Sequence, residues 1–261
     1  MRQLGKKLFF DRGLSMNGTL SCAMCHIPDQ GFTSNQSALS VGMEGRSLRR
    51  NAPSLYNIAF KHYLFLDGRE TDLAAQVWGP LLAPDEMGNP AIGQVLSRLR
   101  KNSDYAADFN VAFPREGVTM TTLGRAIAAY EATILRGDSR FDLAVFGGLA
   151  NKMTELEWLG LELFKSKAGC AVCHRIGDDT ALFTDQIWHN TGVAFRNRNH
   201  TKMIQIELAK GINKTIDPVA LGLGALPARD VGRFEITNNP ADRWSYITPL
   251  LRGIKETAPY M

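Results

Sequence analysis

The sequence predicts a mainly α fold built from two tandem units with long irregular loops. Three observations carry this expectation. The pattern Cys22-Ala23-Met24-Cys25-His26 recurs as Cys170-Ala171-Val172-Cys173-His174. A matching hexapeptide precedes each copy, Leu4-Gly5-Lys6-Lys7-Leu8-Phe9 and Leu159-Gly160-Leu161-Glu162-Leu163-Phe164. Between the copies, apolar residues recur at helical spacing. A length of 261 residues suits two domains of ordinary size.

The repeat continues past the motifs, as Gly31-Phe32-Thr33 and Leu182-Phe183-Thr184. Twelve residues separate Phe9 from Cys22 and five separate Phe164 from Cys170, so the first copy carries seven more there. Helices are expected over Ile92–Lys101 and Thr121–Leu135, the latter with Leu123, Ile127, Tyr130 and Ile134 on one face. Thr154-Glu155-Leu156-Glu157 reads as a capping box opening a helix toward Lys165. Its expected core face is Leu156, Leu159, Leu163 and Phe164. Residues 136–151, with their glycines and alternating charge, give the best boundary, dividing the chain into domains 1–140 and 141–261. The stretches 27–60 and 175–250 are rich in Gly, Pro and Asn and read as irregular loops.

The repeated motif has a chemical reason. Two thiols spaced by two residues form thioethers to the vinyl groups of a porphyrin, and the adjacent imidazole falls under the iron. The two copies use all four cysteines, leaving none for a disulfide, a catalytic thiol or a zinc site. Two covalently bound haem c groups are therefore expected, held by Cys22, Cys25 and His26 and by Cys170, Cys173 and His174. The apolar content of 44% supports real cores, and a net charge of +4 is largely offset by about four haem propionates. Basic residues are scattered among acidic ones, which excludes a nucleic-acid stripe. The one tight basic group, Arg46, Arg49 and Arg50, reads either as a solvated loop or as a propionate or partner contact. No apolar run is long enough to span a membrane. Haem attachment of this kind takes place outside the bacterial cytoplasm, so the periplasm is expected, with a leader removed or left out, since the N-terminus lacks its apolar core.

Further stretches carry a resemblance to a known family. They are Leu-Gly-Lys-Lys-Leu-Phe-Phe-Asp (4–11), Arg-Arg-Asn-Ala-Pro-Ser-Leu (49–55), Asp-Gly-Arg (67–69), Gly-Pro-Leu-Leu-Ala-Pro-Asp-Glu-Met-Gly (79–88), Asp-Ser-Arg-Phe-Asp (138–142) and Thr-Ala-Pro-Tyr-Met (257–261). Over nearly its whole length the chain resembles the bacterial dihaem cytochrome c peroxidases and their relative MauG. The resemblance implies two cytochrome-c-like haem domains, a peroxidatic one at the N-terminus and an electron-transfer one at the C-terminus. It implies an oxidoreductase that reduces hydrogen peroxide with electrons from a small c-type cytochrome or a cupredoxin, and it admits a homodimer. A MauG-like oxidation of a residue on a partner protein is the nearest alternative. A dihaem electron carrier without catalysis is the alternative from another class.

The same resemblance assigns residues. Glu86 falls on the distal catalytic glutamate, Gln76 on the distal glutamine and Pro80 on a proline at the haem face. Met43 stands near the position where reductively activated relatives place a closing histidine, which implies an open, five-coordinate iron, although a thioether can also ligate. Leu66 replaces the tryptophan that relays electrons between the haems, and Trp78 is a candidate substitute. His189 matches a haem-pocket position, while His62 reads as a satisfied structural histidine. One calcium ion is implied, with Asn51 offering its side chain and Thr257 and Pro259 their carbonyls. The distal ligand of the second haem is implied to lie beyond residue 261, so the second domain reads as truncated.

Overall fold

The computed structural model describes residues 1–36, 39–197, 204–209, 212–216 and 230–258, giving backbone alone for 196–197 and for both segments within 204–216. Its helices in chain order are α1 (Arg2–Phe10), α2 (Cys22–Cys25), α3 (Leu73–Gln76), α4 (Trp78–Leu82), α5 (Ile92–Lys101), α6 (Ser103–Ala112), α7 (Met120–Glu131), α8 (Arg140–Val145), α9 (Glu155–Lys165), α10 (Val193–Asn197) and α11 (Phe234–Thr237). The strands are β1 (Trp188–His189), β2 (Ile204–Ala209), β3 (Ile212–Ile216) and β4 (Tyr246–Ile247). β1 pairs antiparallel with β4, and β2 with β3. The fold is mainly helical, as expected; the two short ladders lie in a region read as loop.

The first unit is organised by the crossing of α1 and α7. A Cβ on Gly5 would lie 1.8 Å from the Ala126 carbonyl oxygen, so the backbones touch where a larger residue would hold them apart. Gly124 does the same on α7, where a Cβ would stand 2.2 Å from the Ala74 oxygen of α3. Leu4, Leu8 and Phe9 of α1 and Leu123, Ala126 and Ile127 of α7 are buried in that contact. Val95, Leu96 and Leu99 of α5 and Tyr105 and Phe109 of α6 join the same core.

Local caps explain the boundaries. Asn102 ends α5 and opens α6, its Oδ1 accepting from the Asp104 and Tyr105 amides. Capping boxes open α7 (Thr119, Thr122), α8 (Ser139, Asp142) and α9 (Thr154, Glu157). α5 spans the expected residues, whereas α7 stops at Glu131 rather than Leu135. There the Thr133 amide and hydroxyl both turn back to the Tyr130 carbonyl, and Asn57 captures the departing chain at Ile134 and Arg136. Residues 136–151 are no bare linker, since they contain α8.

The expected face of α9 is a correction. Leu156, Leu159 and Leu163 are 79%, 57% and 44% exposed, while Leu161 is the buried leucine. The matching residues of α1 are covered by α7, and a Cβ on Gly160 would meet nothing within 4 Å among the described residues. His62 is also exposed rather than buried, tied in through its backbone amide to Gln186.

The basic group near residue 50 resolves into ion pairs. Arg46 pairs with Glu44, Arg49 with Glu235, and Arg50 with both Asp67 and Asp230. Asp67 is 2% exposed and also accepts from Arg69. The Ile247 amide donates to the Leu66 carbonyl, and Trp188 Nε1 donates to the Asp67 carbonyl. Residues on either side of the second motif are thus fastened together around 66–68.

Candidate functional site

Each motif presents its histidine in the same way. His26 Nδ1 is 3.0 Å from the Phe32 carbonyl oxygen, and His174 Nδ1 is 2.8 Å from that of Phe183. A carbonyl can only accept, so Nδ1 carries the proton in both rings and Nε2 keeps a free lone pair. That is the tautomer a metal-bound imidazole requires. Phe32 and Phe183 both adopt positive φ, at 55° and 56°, which aims these carbonyls back at the histidines.

The thiols fit the same group. α2 spaces Cys22 and Cys25 by three residues, so they share a helix face. The second pair sits on a single tight turn, Cys170–Val172, followed by Cys173. All four cysteines are free. Burial pushes Cys22 up to about 12 and Cys25 to about 11, and lowers His26 below its usual range. An apolar pocket that disfavours thiolate and imidazolium suits a neutral axial ligand and thioether bonds. Beside His174 lies a cavity of about 310 Å³ walled by Phe141, Met153, Leu161, Phe164 and Phe183. The donor sets and their apolar surroundings fit two c-type haems.

The turn that bears Glu86 is fixed from several sides. The Glu86 and Gly88 amides donate to the Ala83 carbonyl, and the Met87 amide to that of Pro80. Asn89, 1% exposed, donates to the carbonyls of Leu14 and Leu81 and accepts from Arg98. The Met16 amide reaches the Met87 carbonyl, which ties this turn to the segment leading into Cys22. Glu86 is raised above its ordinary range by burial and by the charge of Asp85, with Arg69 opposing. Its own charge in turn raises both Cys22 and Cys25. A half-buried carboxyl therefore lies near the first motif.

Other expected residues fall into two groups. Met43, 2% exposed, packs with Glu86: its amide donates to the Asp85 carbonyl at 2.9 Å, and its methyl lies against Gly88. Pro80 and Gln76 are half-buried at α4 and at the end of α3, the latter capped by Asp72. Trp78, by contrast, is 5% exposed in the core of the first unit and donates to the Met120 carbonyl. Leu66 accepts from the Ile247 amide through its carbonyl. His189 Nε2 meets the Asp185 carboxylate at 2.7 Å, and these two with Cys173 place their ligand atoms within 4.8 Å of one another. Asn51 already accepts from Ser40 and donates to the Ser34 carbonyl. Thr257 lies against Gly31, and Pro259 is outside the described residues.

Sequence reasoning missed the Phe32 and Phe183 carbonyls, Asp185, and Trp188 with Arg233. The repeated Phe-Thr after each motif was the available signal for the first pair. The others come together across the chain and leave no local pattern.

Comparison with known proteins agrees with this geometry. Residues 1–149 match the family described as di-haem cytochrome c peroxidase. The methylamine utilization protein MauG of Methylorubrum extorquens is 32% identical over 259 residues, 99% of this chain and 63% of that protein. The cytochrome c551 peroxidase of Pseudomonas aeruginosa is 32% identical over 262 residues, 99% of this chain and 66% of that protein. The crystal structure of a MauG-like protein associated with microbial copper homeostasis superposes with a TM-score of 0.77 at 32% identity, covering 100% of this chain and 71% of that one. The chain thus spans somewhat less than two thirds of the length of the first two relatives. No helix among the described residues is long and apolar enough to cross a membrane. With twin haem-binding motifs, a matching fold and this similarity along nearly all its length, the chain belongs to the di-haem cytochrome c peroxidase family.

Proposed function

We propose that this chain carries the two haem centres of a c-type peroxidase, divided at about residue 140, and that hydrogen peroxide is reduced at the first. The observation that carries this is Glu86, a half-buried carboxyl on a turn that the Met16–Met87 hydrogen bond ties to the segment leading into Cys22. Cys22, Cys25 and His26 would hold the reacting haem, and Cys170, Cys173 and His174 the one that supplies electrons. Bound haem supplies the iron that accepts the peroxide and the electrons that reduce it. Glu86 takes the proton from the inner peroxide oxygen and returns it to the outer one, which departs as water. Gln76 orients the peroxide through its amide, and Pro80 and Met43 wall the pocket against bulk water. The Met43 methyl packs on Gly88 of the Glu86 turn, which would keep the thioether from serving as a ligand.

The electron donor is a small c-type cytochrome or a cupredoxin in the periplasm. A calcium ion on the Asn51 side chain and the carbonyls of Thr257 and Pro259 belongs to the same reading. A second reading, peroxide-dependent oxidation of a residue on a partner protein, draws on the similarity to MauG and on Met43. Electron paramagnetic resonance of the oxidised holoprotein is expected to show one high-spin haem. Two low-spin haems would leave only electron carriage. Peroxide added with reduced cytochrome c then separates the two enzymatic readings: rapid cytochrome oxidation supports the peroxidase.

A further inference from the structure

We propose that Trp188 is the contact through which electrons cross from the second unit to the first, and that Arg233 keeps its indole from holding the charge of an oxidised ring. The inference rests on the two-haem reading above and assigns a residue to the step between the centres.

The place of Trp188 between the two motifs supports it. His189 lies within 4.8 Å of Cys173 Sγ, one residue from His174, and Trp188 precedes it on β1. The Trp188 indole donates to the Asp67 carbonyl at 3.0 Å. Its six-membered ring lies so close to Gly68 that a Cβ there would fall 2.5 Å away. Arg69 follows, and its charge acts on Glu86 in the first site. Trp188 therefore joins the strand beside the second motif to residues 67–68 by one hydrogen bond and a van der Waals contact, and Arg69 next to them acts on Glu86 through its charge. Trp78 lies off this path in the core, and Leu66 offers no π-system.

The surroundings decide what kind of contact Trp188 makes. The Arg233 guanidinium stands 3.5 Å from the indole centre and also donates to the Asp67 carbonyl. A cation over a neutral indole is attracted to its electron-rich face. The same cation repels a ring that has lost an electron. The nearby Asp67 carboxylate does not offset Arg233, because it is already paired with both Arg50 and Arg69. Nε1–H offers no escape, because its acceptor is a backbone carbonyl that cannot take the proton. Tyr63 packs edge-on at 4.5 Å without adding charge. Trp188 accordingly serves as a tunnelling bridge and stays neutral. The second haem iron goes from ferrous to ferric, the first centre gains that one electron, and no proton leaves the indole.

The experiment reads electron transfer without peroxide. One-electron photoreduction of the oxidised holoprotein, followed at the absorption bands of the two haems, gives the rate of equilibration between them. Trp188→Phe, which keeps an aromatic ring but loses the bond to Asp67, is expected to slow it on the order of tenfold, with Trp188→Leu slower still. Unchanged absorption spectra in Trp188→Phe show that the haem sites are intact. An unchanged rate in that variant overturns the bridge. The guarding role of Arg233 is read by mass spectrometry after peroxide treatment. Trp188 is expected to gain oxygen in Arg233→Met and to remain unmodified in the parent. Oxidised Trp188 in the parent, or an unmodified one in the variant, overturns that role. Should the first haem prove unreactive to peroxide, the photoreduction rate still judges the bridge, so the two readings fail separately.

Discussion

His26 Nδ1 stands 3.0 Å from the Phe32 carbonyl oxygen, and His174 repeats the bond to Phe183 at 2.8 Å. Holding a bulky residue at positive φ costs about 1–2 kcal/mol, and both units hold one at the same place. The cost is offset by a fixed imidazole: neither ring can rotate or change tautomer without losing its carbonyl. The difference between the two motifs lies in their other neighbours. The Glu86 turn is pinned near the first motif, and Met43 is bonded to it through Asp85, while Asp185 and His189 stand beside the thiol of the second.

Glu86 gives the first prediction. Burial and Asp85 raise it, so its proton-accepting form disappears at a higher pH than for an ordinary glutamate. The rate of peroxide reaction should fall as pH drops through that raised value and level off above it. Glu86→Gln should keep both haems, lose the acid limb and slow the reaction by roughly 10²–10⁴. Stopped-flow rates across pH check this, and a variant as fast as the parent removes Glu86 from the proton transfer.

Gly5 and Gly160 occupy equivalent positions of the repeat and predict opposite outcomes. An Ala at Gly5 would drive its Cβ into the Ala126 carbonyl, 1.8 Å away, and overpacking of this kind costs about 1–3 kcal/mol or more. An Ala at Gly160 meets nothing within 4 Å among the described residues, and helix propensity favours it by up to ~1 kcal/mol. Thermal melting of the two variants reads the contrast. Equal losses would mean that the two helices are packed alike.

These glycines also show what a sequence can disclose. The hexapeptide repeat, the motifs, α5 and the Thr154 capping box were legible because each is written within a few residues. The covered face of α9 was not, since leucines at helical spacing show that a stripe exists and not what lies over it. Nor was the hub at Asp67. Arg50 and Asp230 are 180 residues apart in sequence and meet only in the fold. Trp188 was passed over for the same reason, its partners being Asp67 and Arg233.

Glu131 predicts an unusual pH dependence of stability. It is 6% exposed at the end of α7, its Oε2 finds no hydrogen-bond partner among the described residues, and burial raises it to about 8. The folded state therefore keeps a proton that the unfolded chain releases near its ordinary value of 4.5. Stability from this group is whole below that value and is lost as pH rises toward about 8. Glu131→Gln should flatten the melting temperature over this window and raise stability at its upper end by ~2–4 kcal/mol. Parallel melting curves for variant and parent would show that the carboxyl is ionised in the fold.

Asp142 and Arg252 predict the opposite slope. The Arg252 guanidinium, 8% exposed, forms a two-pronged pair with Asp142 at 2.6 and 2.7 Å. It also donates to the Ala181 carbonyl and lies over the Phe183 ring. The pair thus joins α8 to the segment whose carbonyl holds His174. Its bonds to Arg252 hold Asp142 down at about 2, against burial, which pushes the other way. A depressed carboxylate contributes above its unfolded value of 3.8 and loses that contribution as pH falls toward about 2. Asp142→Asn leaves the guanidinium buried without its counter-charge, which costs about 3–5 kcal/mol. Replacing both partners, as Asp142→Leu with Arg252→Met, should recover much of the loss, because no charge is then stranded. Chemical denaturation at neutral pH compares the three proteins. If the single variant is as stable as the parent, the pair does not hold the second site in place.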